Sequence, residues 1–401
     1  MSASLHPESG RALTLSTAAF TVCFAVWTIF SIIGIQIRDQ LSLSDTQFGL
    51  LVGMPILTGS LVRIVLGVAT DRMGGRLVYT LTMLAAAAAT FMLSWATTYP
   101  QMLLAALGVG IAGGSFAVGV AYVSRFFDGA RQGTALGIFG VGNVGAAVTK
   151  FAAPFVMIAF GWQATAQIWA GVLALTALAF WALSKDDPVT AARRGTRAPM
   201  RSLRAEFAPL QNLRVWRFSA YYFFSFGAFV ALALWLPHYL IGVYGFDVKT
   251  AGMIGAAYSI PASIFRAYGG VLSDRIGARS VMYATFLVSL AATGILALIP
   301  GLPVAGFLAV IFTLGFFMSL GKAAVYKHIP TYYPRNVGAV GGLVGMIGGL
   351  GGFVLPLLFG WLKDQTGSWS SCFAVLFLLV GACTLWMHLS IRQSRTAPQP
   401  A

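Results

Sequence analysis

Acidic residues are scarce in this chain of 401 residues, which has 11 Asp and Glu against 26 Lys and Arg. All of the acidic residues lie in polar stretches or at the ends of apolar runs, and none lies in the middle of one. A buried carboxylate is the usual counter-charge for a cationic substrate inside a membrane. The missing carboxylates therefore argue against an exporter of cationic drugs.

Cysteine and histidine are also rare, with 3 Cys and 4 His. Cys23, Cys372 and Cys383 lie inside apolar runs without the spacing of a metal site, so we expect buried apolar groups, no metal and no other cofactor. No Ser/His/Asp or Cys/His set converges in the sequence, and we do not expect an enzyme.

Long apolar runs dominate what is present: 58% of the residues are hydrophobic, 9% are charged, and the mean hydropathy is +0.81. A run of about 20 apolar residues is long enough to cross the core of a bilayer. We predict an all-α membrane protein with twelve transmembrane helices. These spans 1 to 12 lie near residues 16–36, 48–69, 77–98, 101–124, 133–157, 161–183, 215–240, 248–272, 280–300, 303–326, 337–361 and 369–391.

The basic residues are concentrated on one side of this predicted topology. They cluster in the 2–3, 4–5, 8–9 and 10–11 turns, in the polar segment 184–214 and in the tail. Since cytoplasmic loops carry the excess of Lys and Arg, we expect a multi-pass protein of the inner (plasma) membrane with both termini in the cytoplasm. The basic excess then reflects topology and contact with the lipid bilayer, and we expect no nucleic-acid partner.

A short string of residues occurs twice, at an offset of 203 positions that carries residue 63 onto residue 266. The first copy contains Arg63, Gly67, Asp71, Arg72, Gly74 and Arg76. The second contains, in the same register, Arg266, Gly270, Asp274, Arg275, Gly277 and Arg279. Because the offset carries span 2 onto span 8, we predict two parallel six-helix repeats. The first bundle covers 1–183, a cytoplasmic basic linker covers 184–214, and the second bundle covers 215–401.

Parallel six-span repeats are the arrangement of major facilitator superfamily (MFS) transporters. The repeated pattern Gly-x3-Asp-Arg-x-Gly-x-Arg resembles the signature of that superfamily, and the resemblance implies the MFS fold. We interpret the strings from Gly67 to Arg76 and from Gly270 to Arg279 as gating elements. Their first glycine permits close helix approach, and each aspartate can pair with basic groups of a neighbouring span.

Arg63 and Arg266 lie deeper in the membrane than the rest of each string. Each precedes its aspartate by eight residues, which at ~1.5 Å per residue places it about 12 Å inside an apolar core of ~30 Å. Inserting an arginine at the centre of a transmembrane helix costs about 2.5–3.5 kcal/mol of free energy on insertion scales. Packing alone gives no reason for this cost in both halves. Since no acidic residue shares this depth, we predict that both guanidiniums bind a small transported anion.

Three further basic residues are candidates for a role in the pathway. Lys150 lies in span 5, where packing explains it equally well, and Lys322 lies in span 10, with His328 nearer the cytoplasmic boundary. Spans 5 and 11 are also rich in glycine, which we expect both to pack helices closely and to act as hinges. These glycines are Gly137, Gly140, Gly145, Gly341, Gly345 and Gly349.

Glycine-rich strings in spans 4, 5, 10 and 11 carry a more specific resemblance. They cover 112–119, 131–145, 321–330 and 338–349. They are similar to the signatures of one MFS branch, the nitrate/nitrite porter family, also called NarK-like. The resemblance implies that Arg63 and Arg266 bind the substrate. It also implies that Phe116 and Phe226 lie above and below the anion, that Tyr222 lies nearby, and that Asn143 donates a hydrogen bond.

The family has two transport modes, nitrate/proton symport and nitrate/nitrite exchange. The chain resembles the symporter subgroup more closely, so we expect uptake of nitrate coupled to protons. Nitrite would be a second substrate. The transport would serve nitrate assimilation or anaerobic nitrate respiration. Lys322 is our first candidate for the proton carrier, and His328 and Lys150 are the other candidates. We expect a monomer.

Three alternatives remain. A nitrate/nitrite antiporter differs only in coupling. An organic phosphate/phosphate exchanger would place its arginines in spans 1 and 7, but span 1 has no basic residue and span 7 has only Arg214 and Arg217 at its start. A membrane sensor on the same scaffold usually adds a soluble output domain, and we expect none here because the twelve spans leave no length for one.

Overall fold

The computed structural model describes residues 7–43, 45–196, 208–246, 248–299 and 301–396, and in these ranges the regular structure is helical. Eleven helical stretches of the described chain are long and apolar enough to cross a membrane. The remaining predicted span, 248–272, coincides with the helix Val248–Ile276. The helices therefore follow the span order predicted from hydropathy.

In the first half, span 1 comprises Ser9–Trp27 and Phe30–Leu41, span 2 is Asp45–Met73, span 3 is Gly75–Leu93, and span 4 comprises Tyr99–Val109 and Ser115–Ser124. Gln132–Gly140 begins span 5, and Gly145–Leu183 contains the rest of span 5 and all of span 6. Gly161, at φ 82°, interrupts this last helix. Such a positive φ favours glycine and separates the two spans.

In the second half, span 7 comprises Leu213–Tyr222 and Phe229–Tyr244, and span 8 is Val248–Ile276. Spans 9 to 12 are Ala278–Leu298, Val304–Tyr332, Val337–Thr366 and Ser371–Thr396. The linker begins with the short helix Pro188–Thr196. Its continuation over 197–207 lies outside the described residues.

Three spans leave the α-helical hydrogen-bond pattern near their middle. Span 4 has a 3-10 segment at Gly110–Gly114 and span 5 has one at Val141–Val144. Span 7 has a π-helical segment at Phe223–Ala228. Such segments redirect backbone carbonyls and side chains, and they often occur at functional sites. All three contain or adjoin residues of the candidate site.

The two halves meet where span 2 packs on span 11 and span 5 packs on span 8. At both contacts a glycine of the repeated string approaches a carbonyl of the other half: Gly67 approaches that of Gly338, and Gly270 approaches that of Gly133. A Cβ at either glycine would overlap that carbonyl oxygen. Glycine is therefore a requirement of this close crossing.

We call the side of the molecule that carries the 2–3, 4–5, 8–9 and 10–11 turns the turn face. The beginning of the linker is docked there, because Arg193 donates hydrogen bonds to the backbone carbonyls of Asp71 and Arg72 at 3.0 and 2.9 Å. Tyr122 also donates to the carbonyl of Lys185 at 2.6 Å. The segment that the sequence predicts as a linker thus starts as part of the first bundle's surface.

Candidate functional site

Arg63 and Arg266 are both buried in the middle of their spans, each with only 1% of its surface exposed. The Arg63 guanidinium is held by two backbone carbonyls. Its Nε donates to Gly113 at 3.1 Å, and its Nη1 donates to Gly345 at 2.6 Å. Gly113 belongs to span 4 and Gly345 to span 11, so Arg63 bonds to both halves of the protein.

Arg266 is bound much less completely. Its Nη2 donates to the Tyr222 hydroxyl at 3.3 Å. Its Nε and Nη1 are buried and have no hydrogen-bond partner among the described residues. A buried charged donor without an acceptor is costly, so this guanidinium is suited to receive the oxygens of an anion.

Aromatic rings enclose the two guanidiniums. The Phe116 ring lies 5.5 Å from Arg63 Cζ and 4.9 Å from Arg266 Cζ, and the Phe226 ring lies 5.6 Å from Arg63 Cζ. Tyr222 stacks on Phe226 at 5.0 Å and lies parallel to Phe116 at 6.3 Å. Phe116, Phe226 and Tyr222 are thus gathered around both arginines, and their ring planes are close to parallel.

Sequence reasoning missed two aromatic residues of this cluster. Tyr326 packs against Phe116 at 4.9 Å and Tyr222 at 4.7 Å, and its hydroxyl donates to the carbonyl of Gly341 at 3.0 Å. Trp27 lies 5.5 Å from Arg63 Cζ. Tyr326 could have been found, because it follows Lys322 by four residues and so shares its helix face. The sequence of span 1 offers no comparable signal for Trp27.

Lys322 is fully buried, and its Nζ lies 3.0 Å from the centre of the Phe229 ring. This nitrogen has no hydrogen-bond partner in the described part of the chain, and it interacts electrostatically with Arg266. A cation above an aromatic face is attracted to the ring, but the ring carries no net charge. The second half therefore contributes two basic groups with unsatisfied donors, whereas Arg63 in the first half has two backbone acceptors.

Asn143 and Lys150 lie on another part of span 5, facing span 8. They line a cavity of about 350 Å³ together with Ser259 and Ser263. The Asn143 Oδ1 has no partner within the described residues. Since Ser263 precedes Arg266 by three residues, the cavity runs along span 8 towards the arginine site.

His328 does not join this cluster. Its ring stacks on Phe218 at 5.2 Å with an interplanar angle of 5°, and it lies beside Tyr332 at 5.8 Å. These neighbours belong to a separate cavity near the turn face. The sequence suggested His328 as a proton carrier for the arginine site. The aromatic residues that pack against its ring line this other cavity instead.

Asp71 joins the two halves at the turn face. Its carboxylate accepts hydrogen bonds from the N–H groups of Gly338 at 3.1 Å and Ala339 at 2.9 Å, in the first turn of span 11. It also pairs with Arg125 of span 4 at 2.7 Å. A carboxylate at a helix N-terminus satisfies free N–H groups and interacts favourably with the helix dipole.

Asp274 makes the equivalent contact in the opposite direction. It accepts from the N–H of Gly133 at 3.0 Å and from the N–H of Thr134 at 2.6 Å, in the first turn of span 5. Lys327 pairs with it at 2.5 Å and also contacts the carbonyl of Gly129. Each half thus caps a helix of the other half, and the arrangement is suited to act as a two-part gate, which we call the latch.

The other basic residues of the repeated string lie around the latch. Arg76 binds the carbonyl of Trp181 at 2.6 Å and its ring at 4.2 Å, within the first half. Arg72 contributes the carbonyl that Arg193 binds. Arg275 lines a shallow cavity beside Asp274, and Arg279 lines the separate cavity that contains His328.

Glycines let the backbone of spans 5 and 11 approach the arginines. A Cβ at Gly140 would lie 2.7 Å from Arg266 Cζ, and one at Gly349 would lie 3.3 Å from Arg63 Nη1. Close approaches also occur at Gly137, Gly145 and Gly345. Gly341 differs, because a Cβ there would lie 3.8 Å from its nearest neighbours. Packing therefore does not require a glycine at this position.

Comparison with known proteins agrees with this architecture. The profile of the Major Facilitator Superfamily matches residues 15–256 and 243–401. The "Probable nitrate/nitrite antiporter NarK1" of Thermus thermophilus is 43% identical, over 96% of this chain and 92% of its own length. The chain belongs to the major facilitator superfamily and, within it, to the nitrate/nitrite porter family.

Two further relatives match at lower identity. The "Probable nitrate transporter NarT" of Staphylococcus haemolyticus is 31% identical over 92% of this chain and 94% of its own length. The "Nitrite extrusion protein" of Bacillus subtilis is 31% identical over 94% of each chain. Membership confirms the predicted family, and it makes the protein a multi-pass membrane transporter rather than an enzyme.

Solved structures show the same fold. The proton:xylose symporter XylE superposes with a TM-score of 0.74 at 13% identity, covering 94% of this chain and 95% of its own. The Escherichia coli fucose:proton symporter FucP gives 0.71 at 16% identity, covering 94% and 99%. They confirm the all-α MFS fold with two parallel six-helix repeats.

Proposed function

We propose that the protein carries nitrate, and also nitrite as a second substrate, across the inner membrane by alternating access. The observation that carries the proposal is the pair of buried guanidiniums among aromatic rings, in which two donors of Arg266 have no acceptor in the described part of the chain. A planar trigonal anion can accept paired hydrogen bonds from a guanidinium fork and still fit between rings. Tetrahedral phosphate and strongly hydrated sulfate fit poorly between parallel, largely apolar rings.

The relatives support the choice of ligand. Proteins named for nitrate and nitrite transport match over more than nine-tenths of this chain at 31–43% identity. The two buried arginines supply the charge that such an anion needs, and the described residues around them include no carboxylate.

The direction of opening follows from the latch and from the basic turns. We infer that the turn face is cytoplasmic, since Lys and Arg concentrate there. Because the latch closes that face, the state described is shut towards the cytoplasm. The cavity beside Asn143 and Ser263 then supports an access route from the opposite side, along spans 5 and 8.

For transport, we propose that the bundles 1–183 and 215–401 rock against each other across the contacts of spans 2 with 11 and 5 with 8. Opening the cytoplasmic side requires Asp71 and Asp274 to leave the helix ends that they cap. We infer that a single chain forms the complete pathway, since both arginines and both parts of the latch belong to it.

Coupling to protons is the finer part of the proposal. Arginine keeps its proton at any physiological pH, whereas lysine can release one. Lys322 is buried against the Phe229 ring, and its Nζ has no hydrogen-bond partner among the described residues. It can therefore gain a proton when an anion arrives and lose it when the anion leaves. Nitrate and one proton would then move together.

Nitrate/nitrite exchange is the second candidate, and a specific feature favours it. The permanent charges of Arg63 and Arg266 remain in an empty carrier, and two unneutralised charges oppose the reorientation of an empty site. The binding site of such a carrier therefore reorients to the first side of the membrane only with another anion bound. The name of the Thermus relative supports the same mode.

One experiment separates the two modes. Purified protein is reconstituted in liposomes that contain a pH-sensitive dye, with and without internal nitrite, and external nitrate is added. Symport predicts acidification of the interior without internal nitrite. Exchange predicts nitrate uptake only with internal nitrite and no pH change. Absence of nitrate uptake in both preparations would refute the proposed function itself, provided that the reconstituted protein is folded.

A further inference from the structure

A second basic cavity lies at the turn-face end of the second bundle. It has a volume of about 140 Å³ and is formed by spans 7, 9, 10 and 12. Spans 9 and 12 pack on helices of the second bundle, so the cavity lies inside that bundle rather than in the contact between the halves. The four basic groups that line it are Arg214, Arg217, Arg279 and His328.

These basic groups converge from three helices without a carboxylate among the lining residues. Arg217 and Arg214 come from the start of span 7, Arg279 from the start of span 9, and His328 from the end of span 10. The Nε of Arg217 is buried and has no acceptor among the described residues. The like charges of the three arginines repel one another, so an anionic ligand would stabilise the arrangement.

Aromatic packing fixes the positions of these groups. Arg214 Cζ lies 4.5 Å above the Tyr332 ring, and His328 stacks on Phe218 at 5.2 Å. Groups held in this way lose little further freedom when a ligand binds. The cavity is therefore prepared for a ligand rather than formed by chance from mobile surface arginines.

We propose that this cavity binds a phosphate group, presented by an anionic membrane lipid or by a soluble phosphate compound. Three guanidiniums from two helices, with His328 from a third, can surround the tetrahedral oxygens of a phosphate better than they can surround a flat anion. Basic pockets between spans on the cytoplasmic side are typical sites for lipid headgroups. Span 12, which contributes Met387 and Ser390 to the cavity, also carries the exposed Leu385 and Leu389, which offer apolar surface for acyl chains.

Binding here is coupled to the transport site through the two helices that both sites share. Phe218 of the cavity precedes Tyr222 of the anion site by four residues, about 6 Å along span 7. On span 10, His328 follows Tyr326 by two residues. A phosphate group held between the ends of spans 7, 9 and 10 would restrain the movement of spans 7 and 10 and so change the rate of transport.

The test uses the purified full-length protein in a neutral detergent. Thermal unfolding is titrated with dioctanoyl phosphatidylglycerol, with its zwitterionic phosphatidylcholine analogue, with inorganic phosphate and with nitrate. The proposal predicts a saturable rise in Tm with phosphatidylglycerol, with inorganic phosphate, or with both, and a smaller rise with phosphatidylcholine. A response to phosphatidylglycerol alone identifies a lipid source, and an equal response to inorganic phosphate identifies a soluble one.

The variant Arg217→Gln/Arg279→Gln should weaken this binding at least about tenfold, since each lost guanidinium removes charge-assisted hydrogen bonds. If the double variant does not fold, the same binding measurement is made on the single variant Arg279→Gln. Arg11→Gln, which removes one charge from an exposed ion pair with Glu8, should bind as the wild type does. The proposal is overturned if no phosphate probe binds, if the cavity variants bind with unchanged affinity, or if nitrate competes equally with phosphate.

Discussion

The contact between Gly140 and Arg266 makes the sharpest prediction. A Cβ at Gly140 would lie 2.5 Å from Arg266 Cδ and 2.7 Å from Cζ, whereas ordinary contacts begin at 3.4 Å. In Gly140→Ala the guanidinium must therefore move by about 1 Å. Because the displaced group is the flexible end of a side chain, we expect the fold to survive, helped by the higher helix propensity of alanine, up to about 1 kcal/mol.

The displaced guanidinium should bind the anion less well. Loss of one charge-assisted hydrogen bond costs about 1.5–3 kcal/mol, which is roughly a 10- to 100-fold rise in the Kd for nitrate. Isothermal titration of the purified protein measures this Kd, and thermal unfolding checks the fold.

The matched control for this substitution is Gly341→Ala. Its Cβ has room at 3.8 Å from Tyr326 and Val120, and it should keep the wild-type Kd. Wild-type affinity in Gly140→Ala would refute the claim that Arg266 in this position binds the anion. So would an equal loss of affinity in both variants.

Two further predictions concern the latch and the coupling. Asp71→Asn or Asp274→Asn should weaken the closed turn face by about 1.5–3 kcal/mol, since each removes charge-assisted bonds to a helix N-terminus. Spin labels on the exposed Arg131 and Arg335 should then report a larger share of long distances, and an unchanged distance distribution would contradict the role of the latch. Lys322→Gln should abolish internal acidification during nitrate uptake in liposomes while nitrate still binds, and a normal proton signal in this variant would exclude Lys322 as the carrier.

The sequence predicted those parts of the structure that depend on periodicity and on single buried charges. Hydropathy located the spans, and the offset between Arg63 and Arg266 identified the repeat. The depth of the two arginines in the membrane is a prediction from helix rise, and the structure shows both of them buried in the middle of their spans. The expected pairing of Asp71 and Asp274 with basic groups was also found, in Arg125 and Lys327.

The remaining features depend on how the helices cross, which no local pattern encodes. The carbonyls of Gly113 and Gly345 accept hydrogen bonds from Arg63 because spans 4 and 11 meet span 2 at one depth. Within the described ranges Arg266 has no equivalent backbone acceptors, so two arginines in identical sequence registers have different partners.

Helix irregularities and helix ends were also beyond the sequence. The 3-10 segment that contains Asn143 and the π-helical segment that contains Phe226 break the regular period on which residue facing was judged. Asp71 caps span 11, a helix of the other half. The sequence of span 2 alone could not predict this contact. Likewise, His328 lies on the same span as Lys322, yet it faces a different cavity.

The Kd of Arg266→Lys for nitrate tests the central claim most directly. Lysine keeps the positive charge but replaces a planar fork by a single ammonium, and the Nε and Nη1 donors left unpaired in Arg266 are lost. A guanidinium clamp for a planar anion predicts that titration of the purified variant gives a Kd at least about tenfold above that of the wild type. A variant that binds nitrate as tightly as the wild type would show that charge alone is sufficient, and would contradict the account.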